Sequence, residues 1–339
     1  MSYLWLPVLA VACWTMTWYL RRYALSRSLM DVPNARSSHS VPTPRGGGVA
    51  IVFGYLLALI CAEFLGNISF AVLLAFGLSG AAIALLGFLD DHGHIAARWR
   101  LLGHFAAAFW VLYWLGGFPP ISLFGQMFDL GISGYALGAL YLVWLLNLYN
   151  FMDGIDGIAS VEAICVCTGG AMLVAFGPAA GAALWLPLAL AACVAGFLVW
   201  NFPPAKIFMG DAGSGFLGLM LGALSLHAAW VEPAWLWSWL ILLGVFIVDA
   251  TFTLARRLLR GDKVYEAHRS HAYQYASRRY GRHLPVTMAV LVINVIWLMP
   301  LALCVGTGLL DGVLGLIIAY APLIALAVRF KAGELEVAK

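Results

Sequence analysis

Of the 339 residues, 63% are hydrophobic and only 10% are charged, for a formal net charge of +3. Soluble domains carry roughly 25% charged residues, so the composition excludes an ordinary soluble enzyme and points to an all-α, polytopic integral membrane protein. No basic domain lies outside the apolar runs, which argues against nucleic acid as a partner. Stretches of roughly 17–25 apolar residues are long enough to cross a bilayer. In chain order, eleven are predicted: 3–25, 47–66, 70–89, 101–117, 135–149, 158–176, 183–200, 214–231, 234–255, 285–306 and 310–329. Arg21 and Arg22 follow the first run rather than precede it, so that run reads as a span and not as a cleaved leader. No internal repeat or low-complexity linker interrupts the series, and one transmembrane domain over 1–339 is the simplest organisation.

The basic residues predict an orientation. With the N-terminus outside, all 19 Lys and Arg fall on one side, from Arg21 through Lys206 to Arg329 and Lys339. The opposite connections carry acidic residues such as Glu63, Asp129, Glu232 and Asp311. Positive charge favours the cytoplasm, which puts the C-terminus inside. That face then suits anionic headgroups and anionic substrates. The six cysteines all fall within predicted spans and read as packing residues.

Chemistry-bearing residues gather in five connections on the basic side: 31–48, 88–100, 150–157, 200–215 and 256–284. Asp90 and Asp91 close the third span, Asp153 and Asp156 lie in N-F-M-D-G-I-D-G, and Asp211 lies in M-G-D-A-G-S-G. Singly, each has a plainer role: a solvated helix end for Asp90 and Asp91, a helix N-cap for Asp156 or Asp211. Together, five carboxylates at three span ends repel one another unless a cation neutralises them. An oxygen-only donor set suits Mg²⁺, with Mn²⁺ as the alternative, and Mg²⁺ shares its shell with substrate phosphates. His268, Arg269 and His271 read as an anion clamp, Arg269 being able to grip phosphate bidentately. Phe208 could stack on a base or serve as an interfacial anchor. Asp249, inside the ninth span, is a functional candidate of lower weight.

P-N-A-R-S-S-H with P-T-P-R-G-G-G, G-F-L-D-D, N-F-M-D-G-I-D-G, N-F-P-P-A-K-I-F-M-G-D-A-G-S and H-R-S-H together resemble the polyprenyl-phosphate N-acetylhexosamine-1-phosphate transferases. That family is MraY- and WecA-like, of the glycosyltransferase family 4 type. The R-S-S-H and H-R-S-H-A-Y-Q variants look most like its WbpL-type branch, which starts O-antigen synthesis. The resemblance implies transfer of an N-acetylamino-sugar 1-phosphate from a UDP-sugar to undecaprenyl phosphate, with release of UMP. It implies a multi-pass protein of the bacterial inner membrane, N-terminus periplasmic, working in lipopolysaccharide or related envelope-glycan synthesis, with a homodimer as the expected assembly. By the same resemblance Asp211 is the metal ligand, Asp90 and Asp91 lie near the lipid phosphate, and His268 and His271 form the histidine loop over the diphosphate. Asp153, Asp156, Asn201 and Phe208 match nucleotide- and sugar-phosphate-binding positions, and Asn150, Arg45 and Arg269 join them as substrate-binding candidates. His94 stands where MraY has a lysine, and the uninterrupted histidine triplet of MraY is missing; both departures argue against a muramoyl-pentapeptide substrate. The rival class is a transporter of an anion or divalent cation, which would explain the many spans and Asp249. It fits poorly with charges gathered at one face rather than at the midplane.

Overall fold

In hydrocarbon the backbone must satisfy its own polar groups within each crossing segment, which leaves the helix as the element for these apolar runs. The computed structural model describes residues 4–33, 39, 41–93, 95–177, 182–262 and 268–335. Most of the R-S-S-H stretch and His94 lie outside the described residues. The helices are α1 (Trp5–Ser26), α2 (Val49–Phe64), α3 (Phe70–Gly93), α4 (Ala97–Leu115), α5 (Ser133–Met152), α6 (Ile158–Phe176) and α7 (Ala182–Asn201). They continue as α8 (Asp211–Val231), α9 (Ala234–Leu242), α10 (Gly244–Leu259), α11 (Ala272–Tyr280), α12 (Leu284–Gly306) and α13 (Gly312–Arg329).

Every predicted span contains helix, but the count of eleven is not reproduced by length and apolarity. Among the described residues, seven helices are long and apolar enough to cross, or eight if the bent pair α9 and α10 is one span. α2 has only 16 residues. α1 and α4 carry Arg21, Arg22, Arg98 and Arg100 inside the helix rather than in a loop, and this shortens their apolar length. The ninth stretch is not one rod: α9 and α10 meet at a 73° bend. The predicted loops also shrink. α3 runs through Asp90 and Asp91, α5 through Asn150, and the last loop contains α11.

Two small ribbons depart from the purely helical expectation. Met30–Asp31 (β1) pairs antiparallel with Thr43–Pro44 (β2), and Ile121–Leu123 (β3) with Gln126–Phe128 (β4). The second turns at Phe124 and Gly125, with φ of 49° and 79°, the positive values a tight two-residue hairpin wants at both central positions.

α8 is the axis of the fold, buried along most of its length and packed against α3 and α5. α7 packs on α1 and α6. One apolar cluster runs from Cys13 on α1 to Leu323 on α13. Inside it, Asn294 of α12 donates to Glu162 Oε2 of α6 at 2.6 Å, tying two helices through a polar pair that hydrocarbon would otherwise expel.

Candidate active site

The segment 200–215 is tied to the segment 43–48 by backbone. Phe208 N–H donates to the Pro44 carbonyl at 2.8 Å, and the Gly47 and Gly48 N–H groups donate to Phe208 and Met209 carbonyls at 2.9 Å. Gly210 then turns the chain into α8 with φ +80°, ψ 167°, a conformation that only glycine adopts without strain. Its place beside Asp91 matters as well: a Cβ there would lie 2.9 Å from Asp91 Oδ2. Asp211 therefore opens α8, rather than capping a helix that begins at Ser214.

The result is a cavity of about 250 Å³ whose lining joins α3, α5, the 153–156 turn and the start of α8. Of the residues singled out by sequence, Arg45, Asp91, Asn150, Asp153, Asp156, Asn201, Phe208 and Asp211 line it. Asn150 donates to Asp211 Oδ1 and to Ser214 Oγ, each at 2.9 Å. The Asp211 N–H donates to Asp91 Oδ2 at 3.1 Å, so the second carboxylate of the D-D pair steadies the helix that carries Asp211. The Arg45 guanidinium reaches the Asp91 carbonyl and sits 3.8 Å from its carboxylate. Asp156 accepts from the Ala205 N–H at 3.0 Å and faces His283 Nδ1 at 3.1 Å. Asn201 is committed to the scaffold: Oδ1 accepts from the Gly157 N–H at 3.1 Å and Nδ2 donates to the Ile207 carbonyl at 3.1 Å.

Asp90 points elsewhere. It pairs with Arg100, accepts from the Ile95 N–H at 2.7 Å, and lines a separate chamber of about 30 Å³ with His104 and Asn147. The two chambers share Asn150 and Asp211. Nor do His268, Arg269 and His271 line the main cavity. His271 is buried, with Nδ1 3.3 Å from Asp249 Oδ1. His268 stacks on it, its pKa pulled down to about 3 by burial, by His271 and by Arg257. Asp249 explains the arrangement: it accepts the Ala272 and Tyr273 N–H groups at 2.9 and 3.0 Å. It is thus an anchor for the start of α11, and the loop delivers Gln274 to the cavity instead. Asp31, His39, Gln274 and His283 add further polar side chains to the lining, as does Ser214. None of Asp31, His39, Gln274 and His283 was singled out from the sequence, although His39 closes the R-S-S-H stretch and Gln274 closes H-R-S-H-A-Y-Q; Asp31 and His283 are single polar residues without a telling spacing.

The chemistry of the donor set can be tested against a divalent cation. Among the described residues, no three His, Cys, Asp or Glu side chains converge into a ready-made ligand cage. Mg²⁺ needs none, since it takes one or two carboxylates and fills its shell with water and phosphate oxygens. Asp211, with Asp91 and Asp153 on the same cavity, fits that requirement. Burial and the charges of Asp211, Asp91 and Asp156 hold the Asp153 carboxyl well above the ordinary range. For an acid whose pKa is raised on folding, ionisation destabilises the fold, and the penalty grows as pH rises above the unfolded value. Asp153→Asn is therefore expected to melt higher than wild type at about pH 7 in EDTA, with the gain vanishing near pH ~4. Equal gains at both pH values in a detergent melt would contradict this.

Residues 73–229 match the family model described as glycosyl transferase family 4. The chain is 32% identical over 291 residues to a Bacillus subtilis protein named probable undecaprenyl-phosphate N-acetylglucosaminyl 1-phosphate transferase, covering 82% of this chain and 76% of that one. It is 30% identical to a decaprenyl-phosphate N-acetylglucosaminephosphotransferase of Mycolicibacterium smegmatis, covering 80% and 75%. It is also 31% identical to a phospho-N-acetylmuramoyl-pentapeptide-transferase of Streptococcus pneumoniae, over 62% of this chain and 65% of that one. A polar cavity at the ends of apolar helices, with these relatives, defines a membrane-embedded transferase. The chain belongs to the WecA- and MraY-like polyprenyl-phosphate N-acetylhexosamine-1-phosphate transferase family.

Proposed function

We propose that the chain moves an N-acetylamino-sugar 1-phosphate from a UDP-sugar to undecaprenyl phosphate and releases UMP. The observation that carries the reading is the gathering of Asp91, Asp153, Asp156 and Asp211 with Arg45 on one cavity in a chain that is otherwise apolar. We place the protein in a bacterial inner membrane, N-terminus outside, and at the start of an O-antigen, lipopolysaccharide or related envelope glycan. The WbpL-like motif variants support that pathway assignment, and the partition of the 19 basic residues supports the orientation. A transporter is not favoured by the family or by a polar site confined to helix ends.

The reaction exchanges one phosphoanhydride for another, so positioning and charge neutralisation matter more than acid–base strength. A phosphate monoester has a second pKa near ~6, so the acceptor is largely dianionic at neutral pH. Its nucleophilic oxygen needs no strong base, which agrees with Asp90 being engaged by Arg100. Asp211 is the residue proposed to hold Mg²⁺, or Mn²⁺, with Asn150 fixing one carboxylate oxygen. When bound, the ion would neutralise diphosphate charge during in-line transfer. Arg45 lies beside Asp91, where it can offset the charge of an incoming phosphate. Phe208, edge-on to His39 at 4.8 Å between ring centroids, offers an aromatic wall for the nucleobase.

Purified protein given undecaprenyl phosphate and a panel of UDP-sugars should form a sugar-diphospho-lipid and UMP in equal amounts, and added UMP should drive the exchange backwards. Mass spectrometry of the lipid product identifies the sugar. Release of UDP would refute the reading, since it marks ordinary glycosyl transfer.

A further inference from the structure

Behind the α11 anchor, an apolar groove of about 350 Å³ runs between α10, α11, α12 and α13. Its floor is Asp249, Ala272 and Tyr273, and its walls include Ala289, Val290 and Leu323. α12 and α13 are the most lipid-facing of the candidate spans, with only 28% and 22% of their apolar windows buried in the protein. A groove between two such helices is filled by whatever the bilayer supplies. At its mouth Tyr280 and Phe330 face each other with ring centroids 6.4 Å apart, the aromatic pairing that sits at headgroup level.

Charge at the mouth narrows the occupant. Arg329 is exposed and lies over the Phe330 ring at 5.9 Å. Arg279 is exposed and two helical turns on from Ala272, hence on the edge of the face of α11 that lines the groove. The nearby carboxylate Glu334 is already engaged by Arg256 at 3.0 Å and Lys331 at 3.9 Å. Two arginines beside an aromatic-rimmed apolar groove match a phosphodiester headgroup followed by an acyl chain. The polyprenyl substrate is the poorer fit, because no residue lines both this groove and the aspartate cavity.

We propose that this groove is a binding site for an anionic bilayer phospholipid, with one acyl chain against Asp249-anchored α11 and the phosphate between Arg279 and Arg329. The site stands apart from the transferase reading, and its test reads binding rather than turnover. The full-length protein in detergent is titrated with phosphatidylglycerol or phosphatidylcholine of matched chains and followed by native mass spectrometry. Phosphatidylglycerol should bind about tenfold more tightly, as two arginines at headgroup level provide. The Arg279→Gln/Arg329→Gln pair should bring the two lipids to within about twofold of each other. Ala289→Trp, which fills the groove from an exposed position on α12, should lower binding of both lipids, and circular dichroism checks that it folds. Equal binding of the two lipids by wild type would overturn the proposal. So would unchanged phosphatidylglycerol binding by Ala289→Trp, one-for-one displacement by undecaprenyl phosphate, or a lipid-free dimer that covers the groove.

Discussion

Asp211→Asn is expected to lower turnover by a factor of ~10³ while leaving the protein folded. The side chain keeps its shape, and its amide oxygen can still accept from Asn150, which now bonds Oδ1 at 2.9 Å. What disappears is the negative charge at the point where two chambers meet. An element that stabilises charge in the transition state, rather than one that only binds the ground state, should fall on kcat. UMP–UDP-sugar exchange at saturating Mg²⁺ measures it. Near-normal exchange would remove Asp211 from the reacting centre. Asp90→Asn should fall much less, because its partner is Arg100 and not the cavity.

The second large effect should come from a residue with no side chain. A Cβ on Gly87 would lie 2.6 Å from Ala212 N and from the carbonyl carbon and oxygen of Asp211. All three atoms are backbone, so no rotamer change relieves the clash, and overpacking of this kind costs about 1–3 kcal/mol. Gly87 lies one helical turn before Asp91, so the helix that carries Asp91 and the helix that carries Asp211 must separate. A displacement of about 1 Å at reacting groups can cost ~10²-fold in rate, and Gly87→Ala is expected to lose that much. Gly77→Ala on the same helix meets only Leu73 Cδ1, at an ordinary 3.4 Å, and should stay near wild type. Equal activity of the two variants would show that α3 and α8 have more slack than their contact implies.

Carboxylates between apolar runs announce themselves, because hydrocarbon makes them costly; that is why Asp91, Asp153, Asp156 and Asp211 could be read as one site. Which of Asp90 and Asp91 faces the cavity could not, since adjacent helical residues point about 100° apart and either rotation fits the apolar pattern. The histidine loop was legible as a motif but not as a geometry. Asp249, 22 residues before His271, sets its position, and no local spacing links the two. His283 faces Asp156 from the start of α12 across 127 residues of chain. The bend at Leu243 has no proline to mark it, and Gly244 sits in an unbroken apolar run.

That bend bears on the membrane itself. α9 has 9 residues and α10 has 16, lengths of about 13.5 and 24 Å at 1.5 Å per residue. With α9 along the bilayer normal, a 73° turn leaves α10 a vertical reach of about 24 × 0.29, or roughly 7 Å. Together the two arms cover about 20 Å of a hydrocarbon layer near 30 Å thick. Trp235, Leu236, Trp239 and Leu242 of α9 are buried, so neighbouring helices rather than lipid cover the short arm, and the shortfall is taken up within the protein.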